Sequence, residues 1–411
     1  MKRGWLALGL GAGLLYIGLP YLLAQRLGLG LIREGRQGRR ELALTFDDGP
    51  DPATTPAVLD ALAEAGAHAT FFVLLRLAEA HPELLGRILA EGHEVAPHAI
   101  KHHHAWIRSP WSAALEPVRV AQRLAELTGQ PARYYRPPHG AYTLATLLGL
   151  RWAGLVGVHW SVEGGDWQPD ATPESTVRRV MARVHPGAVV VLHDAGVGAR
   201  VTGPALPELL RRLQQREYTV VRLSELRGAQ PLTLHGLPRR LVGLLDDLYD
   251  RLEGNRRVGG RRDTIFRAGL VDFPLPTVQL RDGRKLVRGA RATEFHVNNP
   301  LMVDIGVRQA LRQARQDFRL LAQDILADHE WRNAEAVFCV SALRPLLASL
   351  GFESLPVPPA ARRRLSLWAT VLRRVYGTPV PTEPEPVLSV LSMEKFLERY
   401  GVLERSGASG A

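Results

Sequence analysis

Five apolar runs in the first half of the chain each end in a tight cluster of polar residues. Leu42–Phe46 runs into Asp47-Asp48-Gly49-Pro50, and the short run His93–Ala96 into Pro97-His98. Arg133–Tyr135 is followed by Arg136-Pro-Pro-His139-Gly140, Leu155–Trp160 by Glu163-Gly-Gly-Asp166-Trp167, and Val189–Leu192 by His193-Asp194. Helix-length stretches separate these runs, at Pro56–Ala65, His81–Glu91, 112–128, 143–150 and 205–216, and His68–Leu74 and Tyr218–Leu223 add two more strand-like runs. Strands alternating with helices imply βα units and a parallel sheet, open or closed into a barrel. The carboxyl ends of the strands are where α/β barrels place their chemistry; chance supplies one or two polar clusters there, but not five.

The clusters hold the residue types that hydrolysis needs. Asp47 and Asp48 are adjacent like charges, costly together unless a cation or a shared proton relieves them, although Asp-Asp-Gly-Pro is also an ordinary surface turn. His98 and His102 are four apart; on one helical turn they would face the same side and grip one ion. With Asp48 they make a set of two imidazoles and one carboxylate that leaves positions open for water and substrate. Asp47 is then free to act as general base, and His193, which titrates near neutrality, as general acid. Asp166 can hold His193 protonated and oriented, and Arg136 can orient Asp47 and keep it ionised. Trp167 reads as an aromatic wall facing a sugar, and Trp160 as core packing.

As a set, residues 41 to about 228 resemble the polysaccharide deacetylase family, the NodB homology domain of carbohydrate esterase family 4. Thr45-Phe-Asp47-Asp48-Gly-Pro50, His98-Ala-Ile-Lys-His102, Arg136-Pro-Pro-His139-Gly140, Glu163-Gly-Gly-Asp166-Trp167 and Val191-Leu192-His193 match its five motifs in order. The resemblance implies a distorted (β/α) barrel of the NodB type and a divalent metal, most commonly zinc, with cobalt as a substitute. It also implies removal of acetyl groups from N-acetylated, or sometimes O-acetylated, sugars. It assigns Asp47 as base, Asp48, His98 and His102 as metal ligands, His193 as acid with Asp166 behind it, the His139 amide to the oxyanion, and Leu192 or Val191 to the acetyl pocket. Three positions depart from the usual pattern: Ala99 for Ser or Thr, His139 for Tyr or Phe, and Glu163 for Asp. The expected substrate is an envelope or extracellular polysaccharide, such as peptidoglycan or a chitin-like polymer. An O-acetyl esterase, or a non-catalytic glycan-binding envelope protein, are the other readings.

The front of the chain gives a different expectation. Gly4 to Ala24 carries no charge, is preceded by Lys2 and Arg3, and is followed by Arg26, Arg33, Arg36, Arg39 and Arg40. About 20 apolar residues can span a bilayer as a helix, and no clean small-x-small cleavage site follows. Residues 1–40 are therefore expected to be a single-pass membrane anchor and basic tether, holding the catalytic domain, 41–230, at the cell membrane on its extracytoplasmic side. The net charge of +11, carried by arginine, suits an anionic neighbour. Nucleic acid is not expected, since no dense basic face interleaved with aromatics appears.

A stretch with Gly, Pro and Gln near 228–237 leads into a second domain, 231–411, expected to be a smaller α+β unit of unknown role. It offers a helix at 239–252, a hairpin around Asp282-Gly283, and an alternating strand at 292–297. Helices follow at 304–328, 341–350, 362–376 and 393–399, with a Pro-rich link at 378–386 and a loose tail. The run Glu294-Phe-His296-Val-Asn298-Asn299 resembles the YkoP-like domain found beside some deacetylases. The single cysteine, Cys339, sits in an apolar run and reads as buried.

Overall fold

The computed structural model describes residues 11–297, 301–302, 305, 307–376 and 385–401. The expected Pro-rich link, the tail and Asn298 lie outside these residues, apart from Glu385, Pro386 and Gly401. Two compact units are seen, residues 1–237 and 238–411.

The first unit is an α/β fold built on parallel strands. Its main sheet joins β2 (Glu41–Asp47), β3 (Thr70–Leu74), β4 (Glu94–Ala99), β7 (Val162–Glu163) and β8 (Val189–His193) in the order β4-β3-β2-β8-β7, and β9 (Thr219–Val220) also pairs with β2. A smaller parallel sheet runs β1 (Leu31–Ile32), β6 (Val156–Val158), β5 (Tyr134–Tyr135). The two sheets share a core of Ile32, Ala43, Phe72, Ala96, Tyr134, Val158 and Val189. They are tied by Arg136 N donating to Pro97 O, 3.2 Å, and Ser161 N to Val189 O, 3.0 Å. A strand covered on both faces reads as a continuous apolar run, and Leu42, Ala43, Leu44 and Phe46 of β2 are all fully buried.

The helices are set by local signals. Thr55–Glu64 (α1) ends ahead of Gly66, which adopts φ +60. Leu75–Ala80 (α2), not expected from sequence, ends at His81 because Pro82 cannot continue a helix that began before it. Pro82–Ala90 (α3) is the helix expected over His81–Glu91. In Pro110–Thr128 (α4) the Ser109 hydroxyl caps Ser112 N at 3.3 Å, Pro110 takes the first position, and Gly129 stops the helix at φ +69. Leu144–Ala153 (α5) is capped by Thr143. Pro173–Arg183 (α6) was not expected from sequence: its apolar stripe is short, and a Thr172/Ser175 capping box sets its start. Gly196–Gln215 (α7) buries Leu206, Leu209, Leu210 and Leu213 against the sheet; each such side chain stabilises by about 1.5–3 kcal/mol.

The front of the chain corrects the membrane expectation. Among the described residues no helix is long and apolar enough to cross a membrane, so a single-pass anchor and the location built on it do not stand. Residues 11–26 are helical, including Leu14–Gly18 and Tyr21–Arg26. The last turn is spent on the unit's own interior. Ala24 and Gln25 are buried, and Gln25 Nε2 donates to Gly140 O at 2.6 Å. The stretch expected as a basic tether is woven into the fold. Leu31 and Ile32 pair with Gly157 and Val158, and Gly35 N donates to Gly187 O. Apolar residues and glycines fit a lipid span and a packed segment equally well; the packing decides between them.

The second unit begins in Leu237–Leu252 (α8) and centres on a mixed sheet. Its order is β10 (Arg256–Arg257), β11 (Phe266–Asp272), β14 (Arg291–Val297), β15 (Ala336–Ser341), β17 (Val387–Ser392) and β16 (Glu353–Leu355). The hairpin is β12 (Val278–Gln279) with β13 (Lys285–Leu286). Val307–Ala327 (α9) carries Phe318 into a cluster with Phe266, Phe295, Phe352 and Phe396. Cys339 is buried, and burial pushes its thiol up to about 12.

Candidate active site

β2 delivers the two carboxylates, and a change of backbone hand at its end separates them. Asp47 is still in the ladder, opposite His193 of β8, whereas Asp48 adopts φ +78 and turns away. Asp47 is buried, with Arg136 Nη1 donating to its Oδ1 at 2.7 Å. Arg136 is itself fully buried; it also donates to Thr45 Oγ1 at 2.8 Å and stands 4.1 Å over the Phe72 ring. A buried carboxylate next to a guanidinium with further partners is the arrangement in which a buried charge pair is tolerated.

Asp48 faces the two histidines. His98 Nε2 and His102 Nε2 each lie 3.3 Å from Asp48 Oδ1. The expected helical turn is absent: His98 is on β4, and a bend at 100–101 brings His102 back beside it. The same spacing of four thus serves one point by a different route. Burial raises the Asp48 carboxyl, but the His98, His102 and His193 imidazoles outweigh it and hold the pKa at about 2. Burial lowers that of His102. One donor atom from each of Asp48, His98 and His102 lies within 4.8 Å of the others, and Asp48 Oδ1 is buried without a hydrogen-bond partner. A carboxylate and two imidazoles converging on an unsatisfied oxygen fit a divalent cation with coordination positions to spare. The far nitrogen of His98, Nδ1, is buried and without a hydrogen-bond partner, and the neighbouring Ala99 has no hydroxyl to offer.

His193, at the end of β8, is held from behind. Asp166 Oδ1 lies 3.0 Å from its Nδ1, and Asp166 Oδ2 accepts from His193 N at 2.8 Å and from Thr202 Oγ1 at 2.6 Å. Burial lowers the imidazole's pKa, but Asp166, Asp47 and Asp48 outweigh it and raise it to about 9. Gly198 makes room here, since a Cβ would stand 2.8 Å from Asp166 Oδ2. Leu192 is buried beside His193, and Trp167 is 47% exposed with its Nε1 donating to Glu163 Oε1 at 3.2 Å. His139 sits in the left-handed region at φ +59, its ring 4.6 Å from that of His102. Trp160 stacks on His159 and lies over Arg136, as core packing.

The polysaccharide deacetylase profile matches residues 34–158. A chitooligosaccharide deacetylase from Bradyrhizobium sp. (strain ANU 289) is 36% identical over 201 residues, which cover 46% of this chain and 91% of that protein. The chain belongs to the polysaccharide deacetylase family.

This deacetylase is also 34% identical over 187 residues to a peptidoglycan-N-acetylglucosamine deacetylase from Bacillus cereus, covering 45% of this chain and 87% of that one. The crystal structure of a peptidoglycan N-acetylglucosamine deacetylase aligns with a TM-score of 0.47 at 27% identity, covering 51% of this chain and 97% of that one. The YkoP domain profile matches residues 237–400. There Glu294 and His296 lie on one face of β14, with His296 Nε2 3.8 Å from Glu294 Oε2; burial raises the first to about 7 and lowers the second to about 4.

Three residues of the deacetylase site were not singled out from sequence. Asp194 is buried beneath the Asp47–Pro50 turn and accepts from Thr55 Oγ1 at 2.6 Å. A Cβ at Gly49 would stand 2.2 Å from its Oδ2, which explains the glycine. Thr202 and Gln25 come from distant segments and carry no local motif. For Asp194 a signal existed, since it directly follows His193, but a lone carboxylate there has no spacing that marks it.

Proposed function

We propose that this enzyme is a metal-dependent hydrolase that removes N-acetyl groups from amino sugars of an envelope or extracellular polysaccharide. The observation that carries the reading is the convergence of Asp48, His98 and His102 on one point, with Asp47 and His193 opposite each other on neighbouring strands.

Asp48, His98 and His102 would hold the cation, zinc being the first choice for this donor set. When bound, it supplies Lewis-acid polarisation of the acetyl carbonyl. Asp47 then takes a proton from the attacking water on Oδ2, the oxygen opposite the one Arg136 holds. Arg136 keeps that carboxylate oriented throughout. The His139 amide is offered to the oxygen that gains charge. His193 has Nδ1 committed to Asp166, so Nε2 gives the proton to the leaving nitrogen. The C–N bond breaks, a C–O bond has formed, and acetate and a free amine result. Leu192 borders the acetyl methyl and Trp167 the sugar. The shared interior of the two parallel sheets supports reading this unit as a distorted barrel.

The test is acetate release by the full chain, loaded with zinc or cobalt, from chitin oligomers, peptidoglycan and O-acetylated glycans. Release from the N-acetylated substrates is expected; release from O-acetylated substrates alone would replace this reading with an esterase.

A further inference from the structure

A chain of aromatic rings leads away from the Asp48, His98 and His102 cluster. The His102 ring is 4.6 Å from His139, which stacks on His104 at 4.9 Å and 23°. His104 meets Trp106 at 4.8 Å, and Trp106 meets Tyr21 edge-on at 6.0 Å. The outer rings are open to solvent, Trp106 at 37% and Tyr21 at 40%. They are not there by looseness. Trp106 N donates to His104 Nδ1 at 3.3 Å, fixing the loop after β4. Tyr21 lies on the segment whose Gln25 is bonded to Gly140, next to His139. The apolar front segment thus contributes a ring to a surface that begins at the reactive centre.

Leaving aromatic faces in water forgoes burial that each ring could gain. Exposed rings with polar edges, here meeting mostly edge to face and with the Arg26 guanidinium 6.0 Å over Tyr21, suit ligands that are apolar on one side and polar at the rim. A pyranose ring, with C–H groups on its face and hydroxyls around it, is such a ligand. The sheet order adds direction. β4, which carries His98, is at one edge of the main sheet, and β7, which precedes Trp167, is at the other, with Asp47 and His193 on the strands between. A sugar chain laid across the strand ends meets Trp167 on one side and the ring series on the other.

We propose that His104, Trp106 and Tyr21 form an extended subsite that stacks sugar units of a polymeric glycan beyond the unit held at the catalytic centre. The inference rests on the proposed glycan deacetylase reading and deepens it: the substrate is a chain several pyranose units long, gripped away from the acetyl group that reacts.

The test uses the full chain and N-acetylglucosamine oligomers from the dimer to the hexamer, with two readouts. One is acetate release by the zinc-loaded protein. The other is oligomer binding by calorimetry to the zinc-loaded Asp47→Asn variant, with and without the ring substitutions. Trp106→Ala and Tyr21→Ala are expected to lower the hexamer-to-dimer ratio, of kcat/KM and of affinity, by about tenfold and about threefold respectively, the scale of a lost aromatic contact. Trp106→Phe should recover most of that ratio, and Trp152→Ala, exposed in the last turn of α5, should leave it alone. A ratio untouched by both alanine variants, or a wild-type protein that binds dimer and hexamer alike, overturns the subsite. If acetate is never released but the binding ratio responds as stated, the subsite stands and the proposed reaction falls.

Discussion

Arg136 Nη1 donates to Asp47 Oδ1 at 2.7 Å, and both side chains are buried. Removing one partner of a buried pair strands the other's charge, which costs about 3–5 kcal/mol. Arg136→Met should therefore lower stability by about that amount, read as a fall in the denaturant midpoint, and should abolish turnover as well. Asp47→Asn, which keeps an acceptor for Arg136, should cost far less stability.

Acid-base roles make a separate prediction. Asp47→Asn and His193→Ala should each reduce kcat by about 10²–10⁴, the usual range for a lost proton-transfer group. Circular dichroism and zinc content should stay at the wild-type level, because neither residue belongs to the converging donor set.

The pH profile should report the Asp166–His193 contact. Asp166 sits 3.0 Å from the imidazole, whose pKa is raised from 6.5 to about 9. A raised pKa means that the fold favours the protonated ring. The resulting stability is complete below 6.5 and is lost as pH rises through about 9. The acid needed for the leaving amine is lost when the ring deprotonates, so activity of the metal-loaded enzyme should fall on the alkaline side. Asp166→Asn should shift that limb to lower pH, read from kcat against pH.

Asp194 gives a pH dependence of the same sign at lower pH. Burial raises its carboxyl from 3.8 to about 7, so the fold favours the protonated form and loses stability as pH climbs between those values. Asp194→Asn keeps an acceptor for Thr55 and has no proton to lose. In the metal-free protein its Tm relative to wild type should increase steadily over that interval.

Metal removal should separate the three donors from their surroundings. Chelation should end acetate release, and zinc or cobalt should restore it. His98→Ala, His102→Ala and Asp48→Ala should each lower bound zinc below one equivalent, measured by elemental analysis, since each offers one atom to the cluster.

Much of this site was legible because its chemistry is written locally. Asp47-Asp48, His98 with His102, Arg136, Asp166 and His193 each stand where an apolar run stops, and parallel strands bring such ends together. The α/β class followed from the same alternation. What was not legible depends on partners far away in sequence. Gln25 acquires its role only by meeting Gly140, Thr202 by meeting Asp166, and Asp194 by lying under Gly49. The strands β11, β15 and β17 of the second unit were missed because a short apolar run has no period that tells it from a buried helix.

By itself the sequence determined which side chains are available for hydrolysis and that strands would carry them to a common edge, because hydrophobic periodicity and motif spacing are local properties. Only the tertiary structure decided that the end of the front segment turns into the fold, burying Ala24 and Gln25, and that Tyr21 is set against Trp106. An apolar segment lowers its free energy in lipid or against protein alike, and the contacts that choose between them are made with residues about a hundred positions away.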